Sequence, residues 1–278
     1  MTQSDRAQSD RAQAFRALHH QDGAFAIPNP WDAGSARLLA SVGFKALATT
    51  SAGFAFTLGR RDGAVSRDEK LQHIRDLVAA VDLPIAADLE NGFGDAPEIA
   101  AETISLGAEA GLVGGSIEDS SGDPEHPIYD FNHAVERVAA AVEAACALPF
   151  AFTLTARAEN FLHGRPDLDD TIKRLQAFER AGADVLFAPG LTDLEMVKAI
   201  CSSVSKPVNV VMSLALSKLT HADLAEAGVK RISLGAGLSR AAFGAVMRAA
   251  REITDHGSFT FLGDALQAAE LIAVMKPD

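Results

Sequence analysis

Cysteine is nearly missing from this chain. Only Cys146 and Cys201 occur in 278 residues, too few for the disulfide framework that staples small secreted domains. Both stand in apolar, helix-patterned contexts, so they read as inert core residues in a reducing compartment, and a cytoplasmic location is expected. Aromatic residues are scarce as well: they make up 6% of the chain, with one Trp and one Tyr. The core must therefore rest on Ala, Leu, Val and Phe. Basic charge is in short supply, since 25 Lys and Arg against 37 Asp and Glu leave a net charge of −12. That argues against nucleic acid as a partner, which needs a basic face, but leaves room for a small anionic substrate held by a local arginine or metal ion. Long apolar runs are absent too. None approaches the roughly 20 residues of a membrane-spanning helix, so no membrane partner is expected. The opening "MTQSDRAQSDRAQAF" lacks the apolar stretch of a secretory signal and reads as a polar tail or helix, with QSDRA written twice.

What the chain does have is alternation. Short apolar runs occupy 25–29, 46–51, 83–90, 111–119, 149–159, 184–189, 207–211 and 231–235, with helical patterns between them. Parallel strands buried on both faces read as such continuous runs. Ser66 and Glu69 have the spacing of a capping box, in which each side chain satisfies an orphan amide of the helix start. Glycines close several of the helical patterns, where a left-handed cap is needed. Strict strand–helix alternation predicts a parallel sheet. Eight units in ~250 residues predict a closed (β/α)8 barrel, the TIM barrel of the α/β class. An open doubly wound sheet would show G-x-G-x-x-G after its first strand, and none follows residues 25–29. The expected layout is an N-terminal tail or helix over 1–20, the barrel over 21–252 and a C-terminal helical extension over 253–278.

The barrel makes certain acids informative, because catalytic groups of such folds sit at the C-terminal ends of the strands. Asp88 and Glu90 end the third run, Glu118 and Asp119 the fourth, Arg157 and Glu159 the fifth. Side chains alternate faces along a strand. Asp88 and Glu90 are thus expected to project together, as are Arg157 and Glu159, whereas Glu118 and Asp119 must point oppositely. Converging carboxylates raise one another's pKa. A divalent cation relieves that conflict, and Mg2+ suits oxygen ligands supplied by one or two carboxylates plus substrate and water. Arg157 would then face a substrate carboxylate. Any one of these acids taken singly reads better as a helix cap or rim charge; the set, at successive strand ends, reads as a site.

Five segments, "IPNPWDAGSARLLASVGFKAL", "TTSAGFAFTLGRRDG", "PIAADLENGFG", "GGSIEDSSGD…PIYD" and "ARAENFL", together resemble the isocitrate lyase/phosphoenolpyruvate mutase superfamily over about residues 24 to 250. The resemblance implies a (β/α)8 barrel that binds Mg2+, with Mn2+ a possible substitute, and acts on an α-oxo or α-hydroxy carboxylate through enolate-like intermediates. It implies roles residue by residue. Asp88 matches the direct metal ligand, Glu90 stands where the superfamily usually has a second Asp acting through water, and Glu118 matches the third acid of that shell. Asp62 matches a further acid near the metal. Thr50, Ser51, Ala52 and Gly53 match the segment that holds the substrate carboxylate, and Arg157 matches a substrate-contacting arginine; Asn209 and Ser233 are weaker matches. Catalytic roles thus fall to Glu118, Arg157 and Asp62. The resemblance also implies a homodimer or homotetramer, with a C-terminal helix exchanged between subunits.

The departures fall in the loop after the fourth strand. Lyases of the superfamily carry a Lys- and Cys-bearing motif there, and the phosphonate enzymes an "EDK" version. This chain has "EDSSGDPEHPIYD", with neither Lys nor Cys. Its turn formers still suit a lid. His126 could supply an acid and His163 could line the mouth, though each reads better as a surface histidine, and His19 and His20 are set aside. The expected function is Mg2+-dependent cleavage of a carbon–carbon bond, by decarboxylation or retro-aldol chemistry, in a small 2-oxo or 2-hydroxy di- or tricarboxylate. Phosphorus–carbon chemistry on a phosphonopyruvate-like substrate and a non-catalytic carboxylate binder are the alternatives.

Overall fold

The structure, a computed structural model, describes residues 3–275. All eight expected strands form: β1 (Phe25–Ile27), β2 (Leu47–Ala48), β3 (Ile85–Asp88), β4 (Gly114–Glu118), β5 (Thr153–Arg157), β6 (Val185–Phe187), β7 (Val208–Val211) and β8 (Arg231–Ser233). Helices intervene: α1 (Gln3–Leu18), α2 (Ala33–Ser41), α3 (Ser51–Thr57), α4 (Arg67–Ala80), α5 (Pro97–Glu109), α6 (Phe131–Cys146), α7 (Leu168–Ala181), α8 (Leu194–Ser203) and α9 (His221–Glu226). After β8 come α10 (Gly237–His256) and α11 (Ala268–Val274).

The strands form one parallel sheet in the order β1-β8-β7-β6-β5-β4-β3-β2. The seam between its ends carries the Ala48 N to Pro28 O hydrogen bond, 3.1 Å. Asn29 stitches the same seam by donating to Thr49 O at 3.0 Å, and it ties the end of β1 to that of β8 by accepting from Leu234 N at 2.8 Å. The result is a nearly closed TIM barrel. Local sequence explains several helix starts. Ser66 and Glu69 form the expected capping box on α4, and Asp32 with Ser35 forms another on α2. The α3 helix was not expected: the apolar run over 46–51 yields only a two-residue strand, and Thr50 then caps α3 by accepting from Gly53 N.

Outward-facing residues of the strands, such as Ile85, Ala87, Leu154 and Ala156, pack beneath the helices. The N-terminal end of the barrel is closed by α1. Its Ala12 and Phe15 are fully buried, and Phe15 stands where a Cβ on Gly114 would lie, 2.8 Å from its Cε1. The segment Gln3–Leu18 is helical, and α1 buries one face in the barrel floor. His19, set aside on sequence grounds, is 2% exposed and belongs to this plug. The other end of the chain folds back as well, with Met275 against Gly34 of α2. No helix of the described residues is long and apolar enough to cross a membrane.

Candidate active site

The interior of this barrel carries charged and polar side chains among its apolar ones, where most such barrels stack branched apolar side chains. Thr155, Arg157, Asn209, Arg231 and Ser233 line one cavity of about 200 Å3 that opens at the C-terminal ends of the strands. At its mouth Arg157 holds three acids. Its Nη1 lies 2.8 Å from Asp88 Oδ1 and 3.0 Å from Glu118 Oε2, and its Nη2 lies 2.7 Å from Glu159 Oε1. The Phe187 ring lies under the guanidinium, 5.0 Å from its Cζ. Asp88 also accepts from Ser51 N at 3.4 Å and from Glu90 N at 3.3 Å. The strand ends therefore do bring Asp88, Glu118 and Arg157 together. As alternation requires, Asp119 points the other way. It pairs with Arg174 of α7 at 3.0 Å and accepts from Glu159 N.

Glu90 does not follow the alternation. β3 ends at Asp88, and Glu90 sits in a left-handed turn with φ 51, followed by Gly92 and Phe93 at positive φ. The turn is gripped from α6: Arg137 donates to the carbonyls of Asn91, Gly94 and Asp95. Tyr129, the single tyrosine, donates to Asp95 at 2.6 Å and accepts from Asn91. Glu90 consequently lines an adjoining cavity, together with Glu118, Asp62 and His163, rather than the one beneath Asp88.

The remaining expected residues fall into place as follows. Thr50, Ser51 and Ala52 line the cavity beside Asp88, while Gly53 is buried behind them with its amide on the Thr50 hydroxyl. A side chain at Gly53 would meet Thr50, Trp31 and Ser239. Asp62 lies at the mouth between the two cavities. Asn209 donates to Ser233 Oγ at 3.1 Å, and both line the cavity. His126 is on the loop after β4 and points to solvent, paired with Asp123 at 3.3 Å. That loop is a small hairpin closed by a Ser120–Ile128 bridge.

Three of the four acids at the mouth are pushed upward and Asp88 is held down. Burial pushes Glu118 well above the usual carboxylate range, and Glu159, Asp88 and Glu90 add to it against the pull of Arg157. Glu90 is pushed up to about 7 by burial and then by Asp88. Partial burial and the Asp88 carboxylate also raise Asp62. Burial works to raise Asp88, but Arg157 and then Lys70 outweigh it, so its net shift is downward. Acids pushed above their normal pKa by one another mark a site short of positive charge.

Lys70 is the residue that sequence reasoning passed over here. It is 1% exposed on α4, and among the described residues its Nζ has no hydrogen-bond partner. Asp88, Glu90 and Asp62 are the charges that act on it. A signal was present: Lys70, Ile74 and Leu77 fall on one helical stripe, and the stripe is buried.

No group of three His, Cys, Asp or Glu among the described residues forms a ready-made metal cluster. The donors nevertheless fit Mg2+. All are carboxylate oxygens, Asp88 is held in the charged form, and this ion needs only one or two such ligands beside water and substrate. In this structure the Arg157 guanidinium supplies the positive charge that Asp88 and Glu118 face.

Similarity to known proteins agrees with this geometry. A phosphoenolpyruvate phosphomutase profile matches residues 15–254. The solved structure of a Burkholderia cenocepacia J2315 protein, named only provisionally as a lyase/mutase, is 60% identical, with 95% of this chain and 96% of that one covered and a TM-score of 0.94. The 2-methylisocitrate lyase of Escherichia coli K12 is 30% identical over 203 residues, 70% of this chain and 67% of that protein. A phosphonopyruvate hydrolase solved with oxalate and Mg2+ is 23% identical, covers 95% of this chain and 94% of its own, and shares the fold at a TM-score of 0.85. The similar proteins thus include a lyase, and the hydrolase of the same fold was solved with Mg2+. The chain belongs to the phosphoenolpyruvate phosphomutase family, within the isocitrate lyase/phosphoenolpyruvate mutase superfamily.

Proposed function

We propose that the protein is a Mg2+-dependent lyase that breaks a carbon–carbon bond in a small 2-oxo or 2-hydroxy di- or tricarboxylate. The observation that carries this reading is the meeting of Asp88 and Glu118 at Arg157, in the mouth of the barrel cavity. Asp88, Glu90 and Glu118 would hold the cation; Mn2+ is the natural substitute. When bound, the ion supplies Lewis acidity, drawing electrons from a carbonyl and offsetting the charge left when the neighbouring bond breaks.

The chain's own groups divide the remaining work. Arg157 presents a planar, permanently charged donor to a substrate carboxylate. The Thr50–Ala52 segment lines the same side and offers polar backbone beside Asp88. Asp62, at the mouth and with its carboxyl raised by burial and by Asp88, is placed to take or return a proton at its Oδ atoms. Phe187 adds buried apolar surface to the cavity wall beside the reacting carbons, and Leu162 stands at its rim. The loop after β4 has no Lys or Cys, which weighs against the phosphonate reaction and against a Cys acid.

A second copy of the chain is the expected partner. Along α10 only Ser239 is buried, while Phe243, Val246, Met247 and Ile253 are exposed. Such an apolar face favours a homodimer or homotetramer. The deciding assay is product formation from a panel of 2-oxo acids, malates, isocitrates and phosphonopyruvate, with Mg2+ and with chelator. Metal-dependent release of a smaller oxo acid is expected. Turnover of phosphonopyruvate alone, or none across the panel, would overturn the reading.

A further inference from the structure

One layer below Arg157 the cavity holds a second buried guanidinium. Arg231 opens β8, is 6% exposed, and reaches across the barrel interior. Its Nε donates to Asn209 Oδ1 at 2.8 Å and its Nη2 to Thr155 Oγ1 at 3.0 Å. Its Nη1 lies 3.5 Å from His19 Nε2. The third of these partners is a neutral acceptor for a clear reason. His19 Nδ1 lies 2.9 Å from the Phe15 carbonyl, which can only accept, so Nδ1 carries the proton and Nε2 keeps its lone pair. Burial and then Arg231 hold this imidazole uncharged, with its pKa lowered to about 3.

All three partners are therefore neutral, and among the described residues no carboxylate lies within ion-pair distance of Arg231. The charge that acts on it is Arg157, which is repulsive. Burial and that repulsion lower Arg231 to about 9, so it remains a cation at neutral pH. A buried charge is normally paired, and an unpaired one is costly to keep. Yet Arg231 lines the same cavity as Asp88, Ser51 and Arg157. Thr155, to which Arg231 donates, and Arg157 share the inward face of β5, two residues or about 6.6 Å of strand apart, so Arg231 is bonded one level deeper in the barrel. A four-carbon diacid is long enough to place one carboxylate at each level.

We propose that Arg231 binds the distal carboxylate of the substrate, so that the barrel throat selects dicarboxylates over monocarboxylates of the same length. The proposal rests on the lyase reading for the other end of the substrate. Arg157 is already matched by Asp88, Glu118 and Glu159, whereas Arg231 awaits an anion. Thr155, Asn209 and His19 use one N–H each and leave two more for a carboxylate in the cavity.

The test is calorimetric titration of the full chain in Mg2+ with malate, 2-hydroxybutyrate and oxalate. Malate and 2-hydroxybutyrate share the 2-hydroxy acid head and differ in the terminal carboxylate; oxalate has no distal carboxylate. Malate is expected to bind about tenfold or more tighter than 2-hydroxybutyrate. Arg231→Gln should erase that preference and leave the oxalate affinity within about twofold. Equal affinities for malate and 2-hydroxybutyrate in the parent protein overturn the proposal without any variant. So does a folded Arg231→Gln protein that keeps the malate preference, or one that loses malate and oxalate alike. A parent that prefers malate but binds it equally with chelator, and ignores oxalate, sinks the Mg2+ reading and leaves the Arg231 assignment standing.

Discussion

Arg157 and Arg231 are the same side chain, buried in the same cavity, one layer apart, and their surroundings differ completely. Arg157 sits among three carboxylates and stacks on Phe187; Arg231 touches an amide, a hydroxyl and a neutral imidazole. The difference separates two uses of a buried cation. At the mouth it holds together acids that repel one another, and a dication can take over that duty. In the throat it has no acid to hold, so its cost must be met by hydrogen bonds and by whatever anion enters.

The contrast can be broken in several ways. Asp88→Ala should reduce metal-dependent turnover to below about one-thousandth, of the order found when a key electrostatic group is lost, while the protein still folds. Full activity in that variant, measured beside its circular dichroism, would reject the metal assignment. Arg157→Met should destabilise the metal-free protein by about 3–5 kcal/mol in urea unfolding, because it leaves buried carboxylates facing each other, and Mg2+ should restore part of the loss. Arg231→Met removes a buried charge along with its three hydrogen bonds, so its cost should stay under about 2 kcal/mol. Equal losses at the two positions would erase the distinction drawn between them.

Lys70 sharpens the comparison as a third buried cation, near the acids but bonded to none of the described residues. Lys70→Met should stabilise the fold by about 1–2 kcal/mol and tighten Mg2+ binding severalfold, since it removes positive charge beside the site. Weaker Mg2+ binding in that variant would contradict its placement. The smallest effect is the pH slope of the metal-free protein. Glu90 is raised to about 7 and Asp119 to about 6. The folded state thus binds more protons than the unfolded chain between about pH 4 and 7, and stability contributed by these groups falls as pH rises through that window. Unfolding midpoints at pH 5 and pH 7.5, with chelator, check the sign.

Much of this was legible beforehand, for specific reasons. The eight apolar runs are strands because a sheet covered on both faces tolerates little else, and Ser66 and Glu69 cap α4 because their spacing matches the orphan amides. Alternation correctly separated Glu118 from Asp119, since both lie on or next to a regular strand. It failed at Glu90, because the strand had already ended and the turn set φ to 51. Arg231 could have been found by the same rule, as it lies two residues before Ser233 and must share its inward face. The grip of Tyr129 and Arg137 on the turn after β3 joins residues some forty positions apart, and no local pattern announces it.

The amino-acid sequence by itself determined the order of strands and helices, the polarity of each strand face and the presence of acids at strand ends. Each of these depends on neighbours within a few residues. Tertiary structure alone decided which charges share a cavity, that Arg157 is matched while Arg231 is not, and that the polar-looking α1 seals the barrel floor and supplies His19. Those outcomes depend on closing the sheet, which brings residues from β1 through β8 within a few ångströms across a space of low dielectric, where one ion pair more or less changes what each group can do.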